Sequence, residues 1–370
     1  MYNLKELNRK GYPFTFLAAA GNAFDTFKKD VADWDGVEFI DVPSGGTKAA
    51  FQSIRNALKT KRYSLMHSQG LRIGAIACGA NYFQKVPHVI TLHDVIVPQN
   101  DIPGRFKCLK KKIIGHLTRR ATVIVPVSQD CAENHLGQFP VWKKGLVRIQ
   151  PILNGIDVEK VQCQSNIPQS YDCGSDNSPV TGGFFGRFMP QKGFEVLLDA
   201  LLILDRKGYG ERFRMLVTVD QHGYRDETLG TVAENPVLKK MIQFIEPVAD
   251  IFPLWEQVDV LVMPSRWEAC PLLPMEAMIA GVPVIGSDCL GLREVLAGTP
   301  NAAPPNGNSK ALADAIIDFI EHKEQRKTEA QQFAPTAIKR FDVRNAAEQL
   351  REIYENICRC NNSPLRKQGL

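Results

Sequence analysis

The chain has 370 residues, 44% of them hydrophobic, and carries 45 basic against 40 acidic side chains for a net charge of +5. That length and apolar content suffice for two buried cores and exclude a disordered or fibrous chain, while so mild a charge excludes a surface built broadly for nucleic acid. Nine cysteines, an odd number without a CxxC pair or metal-ligand spacing, suit a reducing compartment, and no apolar run approaches the roughly eighteen residues of a membrane span.

In chain order, residues 1–10 predict a short helix ended by Gly11, Phe14 to Ala19 a buried strand, and Val37 to Val42 a second strand followed by a helix over Thr47 to Leu58. Strands recur at Ser64 to His67, His88 to Leu92, Thr122 to Val127 and Val147 to Pro151 with helical segments between them, which predicts a parallel, doubly wound sheet. Such a domain ordinarily opens with a strand, a glycine-rich turn and then the first helix. Here the first element reads as a helix, and Gly45–Gly46 follow a different strand. The expectation is therefore a first domain lacking its first strand and glycine-rich loop. The pair Asp33 and Asp35 precedes a glycine and a strand and reads as a turn, not as a metal motif.

His93 stands at the end of the predicted strand His88 to Leu92, where open α/β sheets bind ligands, and His67 at the end of the preceding strand is a weaker candidate. The stretch Arg105 to Arg120 holds seven basic residues and no acidic one, with Phe106, Leu109, Ile113, Ile114 and Leu117 at helical spacing. That composition fits a solvated surface helix and a membrane-facing helix equally. After Asn154-Gly155-Ile156-Asp157, residues 161–182 turn polar and rich in Pro and Gly, which predicts a first domain over 1–165, a linker over 166–182, a second domain over 183–342 and a final helix over 343–358.

The second domain opens on a strand ending at Gly186, a turn with Arg187 and Lys192, and an amphipathic helix from Phe194 to Leu204. Phe213 to Val219 predicts the next strand and Phe244 to Pro247 a shorter one. The apolar run Val258 to Met263, broken only by Asp259, leads through a loop with Glu268 into a helix with Pro274 and Glu276, closed by Gly281; Val282 to Ile285 begins another buried strand and Asn308 to Glu321 a helix. Backbone N–H groups and cations there suit phosphate oxygens, and carboxylates can accept hydrogen bonds from sugar hydroxyls. An isolated pair of carboxylates or of loop cations would ordinarily be solvated surface charge.

The segment PSRWEACPLLPMEAMIAGVPVIGSD resembles the Glu, seven residues, Glu motif of retaining GT-B glycosyltransferases of family four, and GRFMPQKGFEVLLDA resembles the same family's phosphate-gripping turn. The resemblance implies two Rossmann-like α/β domains facing across a cleft, with a C-terminal helix crossing back to the first. It implies that Arg187 and Lys192 hold the donor diphosphate, that Glu268 contacts the transferred sugar and Glu276 the ribose, and that His93 lines the cleft. Donor contacts are further implied for Gly186, for Glu246 and Pro247, and for Cys270, Pro271 and Leu272. It implies a nucleotide-diphosphate sugar donor, a glycan or lipid-linked acceptor, no cofactor and no metal, with the leaving phosphate helping to deprotonate the acceptor on one face. The expected setting is cytoplasmic, with Arg105–Arg120 as a peripheral contact on the inner face of the membrane. On these roles Arg187→Ala and Lys192→Ala should abolish transfer and leave the melting temperature within a few degrees.

A dinucleotide dehydrogenase would need a GxGxxG turn after a first strand, and the sequence has none. A GT-B epimerase or phosphorylase would share the shape, the latter with a cofactor lysine that has no counterpart here. A non-catalytic relative that only binds nucleotide is the remaining alternative.

Overall fold

The computed structural model describes residues 2–101, 103–145, 147–164, 178–219, 224–248 and 250–362. The chain forms two compact units, one of residues 1–155 together with the segment from Val343 onward, the other Ile156–Asp342.

The first unit carries β1 (Phe14–Ala19), β2 (Val37–Val42), β3 (Met66–Gln69), β4 (His88–Leu92), β5 (Val123–Pro126) and β6 (Arg148–Ile149). All its strand pairs are parallel, in two sheets, β1-β2 and β3-β4-β5-β6. A single sheet was expected. Periodicity locates strands along a chain but carries no signal for lateral order, and among the described residues β1 pairs only with β2 and β3 only with β4. Trp34, in the turn that holds Asp33 and Asp35, packs on Phe14 and Phe16 of β1. Every residue of β4 is buried, as a strand covered on both faces requires. On one face Gly74 of the helix Leu71–Ala80 lets that helix close on the sheet, where a Cβ would stand 2.7 Å from Ile90 Cγ2. On the other, the helix Val343–Asn362 sets Ala346, Leu350, Ile353, Tyr354 and Ile357 at helical spacing against Val89, Val123, Val125 and Leu7.

The second unit carries β7 (Val180–Phe184), β8 (Phe213–Thr218), β9 (Ile242–Ile245), β10 (Val260–Met263) and β11 (Val284–Gly286), a parallel sheet in the order β11-β10-β7-β8-β9. Its first strand starts ahead of the residue 183 set by the sequence, and of the expected linker, residues 165–177 lie outside the described residues. Residues 156–164, placed with the first domain by sequence, fold here instead. Ile156 N donates to Phe341 O, and the helix Val158–Gln164 packs on the helix Leu273–Ile279. The strand predicted at Phe244 to Pro247 is displaced to Ile242–Ile245, because the helix Pro236–Met241, capped by Asn235, runs straight into it.

Asp259, the one charge in the run toward β10, is explained by its partners. Its carboxylate accepts from Thr181 N at 2.9 Å and pairs with Lys323 and Lys327 at 3.0 and 3.1 Å. Burial alone would raise its pKa; the Thr181 N–H and the two ammonium groups overcome this and hold it below the usual carboxylate range. Both lysines belong to a helix, Lys323–Phe341, that sequence reading did not anticipate.

Candidate functional site

Two loops at the C-terminal ends of neighbouring parallel strands meet in the second unit. One follows β7 and carries Gly186 to Gly193; the other follows β10 and carries Pro264 to Leu272. Gly193 has φ +63°, and a Cβ there would lie 2.0 Å from Pro264 O. Only glycine permits this approach. The contact is laced by Arg266 N donating to Gln191 O at 2.7 Å and by Gln191 Nε2 donating to Trp267 O at 3.1 Å. Gly193→Ala is therefore expected to separate the loops and to lower the melting temperature, by about 2 kcal/mol or more of stability; a thermal melt unchanged from wild type would contradict the tight approach.

Glu268 lies at the junction, only 6% exposed. Lys192 Nζ donates to its Oε1 at 2.6 Å, and Ser265 Oγ donates to the same oxygen at 2.9 Å. Gly291, with φ +75°, is the second forced glycine: a Cβ there would meet Glu268 O at 2.4 Å. The backbone of Glu268 is thus clamped, its N–H donating to Leu290 O at 2.9 Å.

Arg187 is exposed on the turn leading to Lys192 and makes no ion pair among the described residues. Gly186 adjoins the Lys192 stem, a Cβ there lying 3.6 Å from Lys192 Cγ. Glu276 is half-buried on the helix Leu273–Ile279, and its carboxylate has no hydrogen-bond partner among the described residues. Burial raises its pKa, opposed by the charge of Lys160 and reinforced by that of Asp250. Cys270 and Pro271 are buried and Leu272 half-buried in the same loop, while Glu246 and Pro247 are exposed just past β9.

The structure therefore joins Lys192 directly to Glu268, sets Arg187 on the same turn, and puts Glu276 at the far side of the Pro264–Leu272 loop. His93 belongs to the other unit, at the C-terminal end of β4, where Gln69 Oε1 holds its Nε2 at 2.6 Å. His67 is half-buried with both ring nitrogens engaged: they bind Tyr354 Oη at 2.5 Å and Thr91 Oγ1 at 2.7 Å, and loss of solvation pushes its pKa down to about 3.

Sequence reading missed Gln191, Ser265, Lys160 and Gln69. Gln191 adjoins Lys192, singled out by motif, Gln69 lies two residues past His67, singled out at a strand end, and Ser265 directly follows Pro264, so position alone could have flagged them. Lys160 left no such signal, because its relevance depends on the helix Val158–Gln164 packing on the helix of Glu276.

Paired parallel-sheet units with charged loops at strand C-termini define the GT-B class of transferase fold. Two family models match, Glycosyltransferase Family 4 over residues 2–160 and Glycosyl transferases group 1 over residues 179–322. The chain belongs to the family-four glycosyltransferases. It is 28% identical over 314 residues to a D-inositol 3-phosphate glycosyltransferase of Corynebacterium urealyticum, covering 80% of this chain and 72% of that one. It is 24% identical over 349 residues to the O-antigen biosynthesis glycosyltransferase WclY of Escherichia coli, covering 90% of each. Among solved structures, Anabaena HepE in complex with UDP and glucose superposes with a TM-score of 0.73 at 21% identity, over 92% of this chain and 91% of that one.

Proposed function

We propose that this glycosyltransferase moves a hexosyl group from a nucleoside-diphosphate sugar to a hydroxyl of a glycan or lipid-linked acceptor, with retention of configuration and without a metal ion, in the assembly of surface polysaccharide or envelope glycan. The observation that carries the proposal is the Lys192–Glu268 pair at 2.6 Å, held where the loops after β7 and β10 touch. A cation for phosphate and a carboxylate for sugar hydroxyls stand side by side, with Arg187 next along the turn. The complex of HepE with UDP and glucose supports a nucleotide donor, and the role of WclY in O-antigen biosynthesis supports the setting.

In this reading the bond from the anomeric carbon to the diphosphate oxygen breaks. A bond to the acceptor oxygen forms on the same face, and the acceptor proton passes to the departing phosphate. Arg187 and Lys192 stabilise the negative charge that develops on the diphosphate, Glu268 orients the transferred sugar, and Glu276 accepts hydrogen bonds from the ribose. Incubation with labelled UDP- and GDP-sugars, following nucleotide release and transfer, tests the proposal; turnover of no donor, with nucleotide binding retained, would leave the non-catalytic reading.

Glu276→Gln separates binding from folding. Loss of the carboxylate acceptor is expected to weaken binding of the free nucleoside diphosphate by about ten-fold or more, as for a hydrogen bond to a charged group, measured by calorimetry. Because burial raises the folded-state pKa of Glu276, the ionised form opposes folding, and that opposition grows as pH rises from the unfolded carboxylate value through the folded one. The variant should therefore be at least as thermally stable as wild type at neutral pH, with the difference vanishing in acid. Wild-type nucleotide affinity should fall on acidification sooner than an ordinary glutamate would dictate.

A further inference from the structure

Among the described residues, six of the eight large hydrophobic side chains that stand exposed belong to one stretch of the first unit: Ile73, Tyr82, Phe83, Phe106, Leu109 and Ile113. They lie on or just beside two helices, Leu71–Ala80 and Lys107–Thr118, which pack on each other. The C-terminal ends of these helices adjoin, with the Arg120 guanidinium 4.1 Å from the centre of the Tyr82 ring and Phe83 edge-on to Tyr82. The sequence pattern put Phe106, Leu109, Ile113, Ile114 and Leu117 on one face. The structure divides them: Ile114 and Leu117 turn partly inward, while Phe106, Leu109 and Ile113 face solvent, Phe106 at 65% exposure. A core cannot account for these three.

The charges around them are predominantly of one sign. Residues 71–93 and 102–120 contain no aspartate or glutamate. Arg72, Lys85, Arg105, Lys107, Lys110, Lys112 and Arg120 are all exposed. Of the two acids in the intervening residues 94–101, Asp94 is exposed just past β4, and Asp101 is nearly covered and already paired with Lys107 and Lys111, at 2.5 and 2.8 Å. Apolar side chains that stand clear of the surface within a collar of cations, on two helices that carry no acid, match a layer that is negative at its surface and apolar beneath.

We propose that this face docks on an anionic lipid surface, Phe106, Leu109, Ile113 and Phe83 entering the headgroup region while the exposed cations meet lipid phosphates. The inference rests on the surface of the first unit alone and stands or falls separately from the transfer reaction. An acceptor carried by a lipid would be met at that surface.

The test is flotation of the full chain with vesicles of neutral phosphatidylcholine or of the same lipid with roughly one phosphatidylglycerol in three, enough to attract a basic surface. Binding to the anionic vesicles only, weakened by salt, is expected. Leu109→Glu with Ile113→Glu should reduce it by about ten-fold or more, since two buried apolar contacts become charges, and both sites are exposed, so folding is spared. Phe106→Trp should gain fluorescence quenching by lipids brominated on the acyl chain. Equal binding to both vesicle types, no binding at low salt, or an unquenched tryptophan at position 106 would overturn the proposal. So would lipid-independent self-association that Leu109→Glu abolishes, which would make the occupant a second copy of the chain.

Discussion

Lys192→Ala is expected to lose transfer and stability together, whereas Lys192→Ala combined with Glu268→Gln should recover stability and not transfer. The first expectation departs from the sequence-based one, in which the melting temperature barely moves. The reason is Glu268, 6% exposed and bound to Lys192 at 2.6 Å. Removing one member of a fully buried pair costs about 3–5 kcal/mol, because the other charge stays desolvated. Lys192 retains 22% side-chain exposure and Ser265 still donates to Glu268, so a cost of about 2 kcal/mol is the fitting scale, or a melting temperature lower by roughly 4–8 °C for a unit of this size. A glutamine at 268 needs no counter-charge and can still accept from Ser265 Oγ, so the double variant should melt near wild type. Catalysis follows a different account. The ammonium that would hold the diphosphate is gone in both variants, and a lost charge partner of about 2–5 kcal/mol removes one to three or more decades of rate. Arg187→Ala, exposed and without an ion pair among the described residues, should lose comparable rate with an unchanged melt. Transfer restored in the double variant would show Lys192 to be a counter-ion for Glu268 and nothing more.

That contrast also marks how far the sequence could be read. Strands β1, β2 and β4 have the bounds that the sequence predicts because turn residues end each of them, although only β4 is buried throughout: β1, expected to be buried, is half-buried, and β2 exposes Glu38 and Asp41. Lys192 and Glu268 were visible through the resemblance of their segments to the family's motifs, since loop charges after a strand ordinarily read as solvated surface. Their pairing was not visible. It depends on two loops 76 residues apart touching through Gly193, whose left-handed backbone is a property of the folded chain. Gln191 and Ser265 escaped notice because their residue types are common in any turn, and only the contact gives them work. The helix Lys323–Phe341 escaped for the opposite reason. Of its nineteen residues only Ala330, Ala337 and Phe341 are buried, and Pro335 lies inside it, so neither its period nor its composition announces a helix. It is held in part by Lys323 and Lys327 on Asp259, a partnership that no local pattern reveals.

The first unit should lose stability steeply in acid, and two desolvated imidazoles, the buried His88 and the half-buried His67, are the cause. His67 is bound by Tyr354 and Thr91, and His88 by Ser68 Oγ at 2.8 Å and Cys78 Sγ at 3.3 Å. Burial pushes both pKa values down to about 3, with the neighbouring His88 and then His93 adding to the effect on His67. In the unfolded chain each imidazole takes up a proton near pH 6.5, whereas in the fold neither does until about pH 3, so the unfolded state binds more protons throughout that window. The sign is therefore fixed: stability is full above about pH 6.5 and falls as pH drops, by roughly 1.4 kcal/mol per pH unit for each histidine once the unfolded form is protonated. Together they are worth nearly 3 kcal/mol per unit on this scale, enough to exhaust a stability of about 5–15 kcal/mol within a few units. Amide exchange of the strand His88–Leu92, expressed as protection relative to the free peptide, follows the loss where it occurs. Protection should decline from pH 6.5 downward, and His88→Asn, which cannot be protonated, should halve the slope even though it lowers the starting stability. A slope the same in that variant as in wild type would show that acid acts through other groups, with the carboxylates the next to examine.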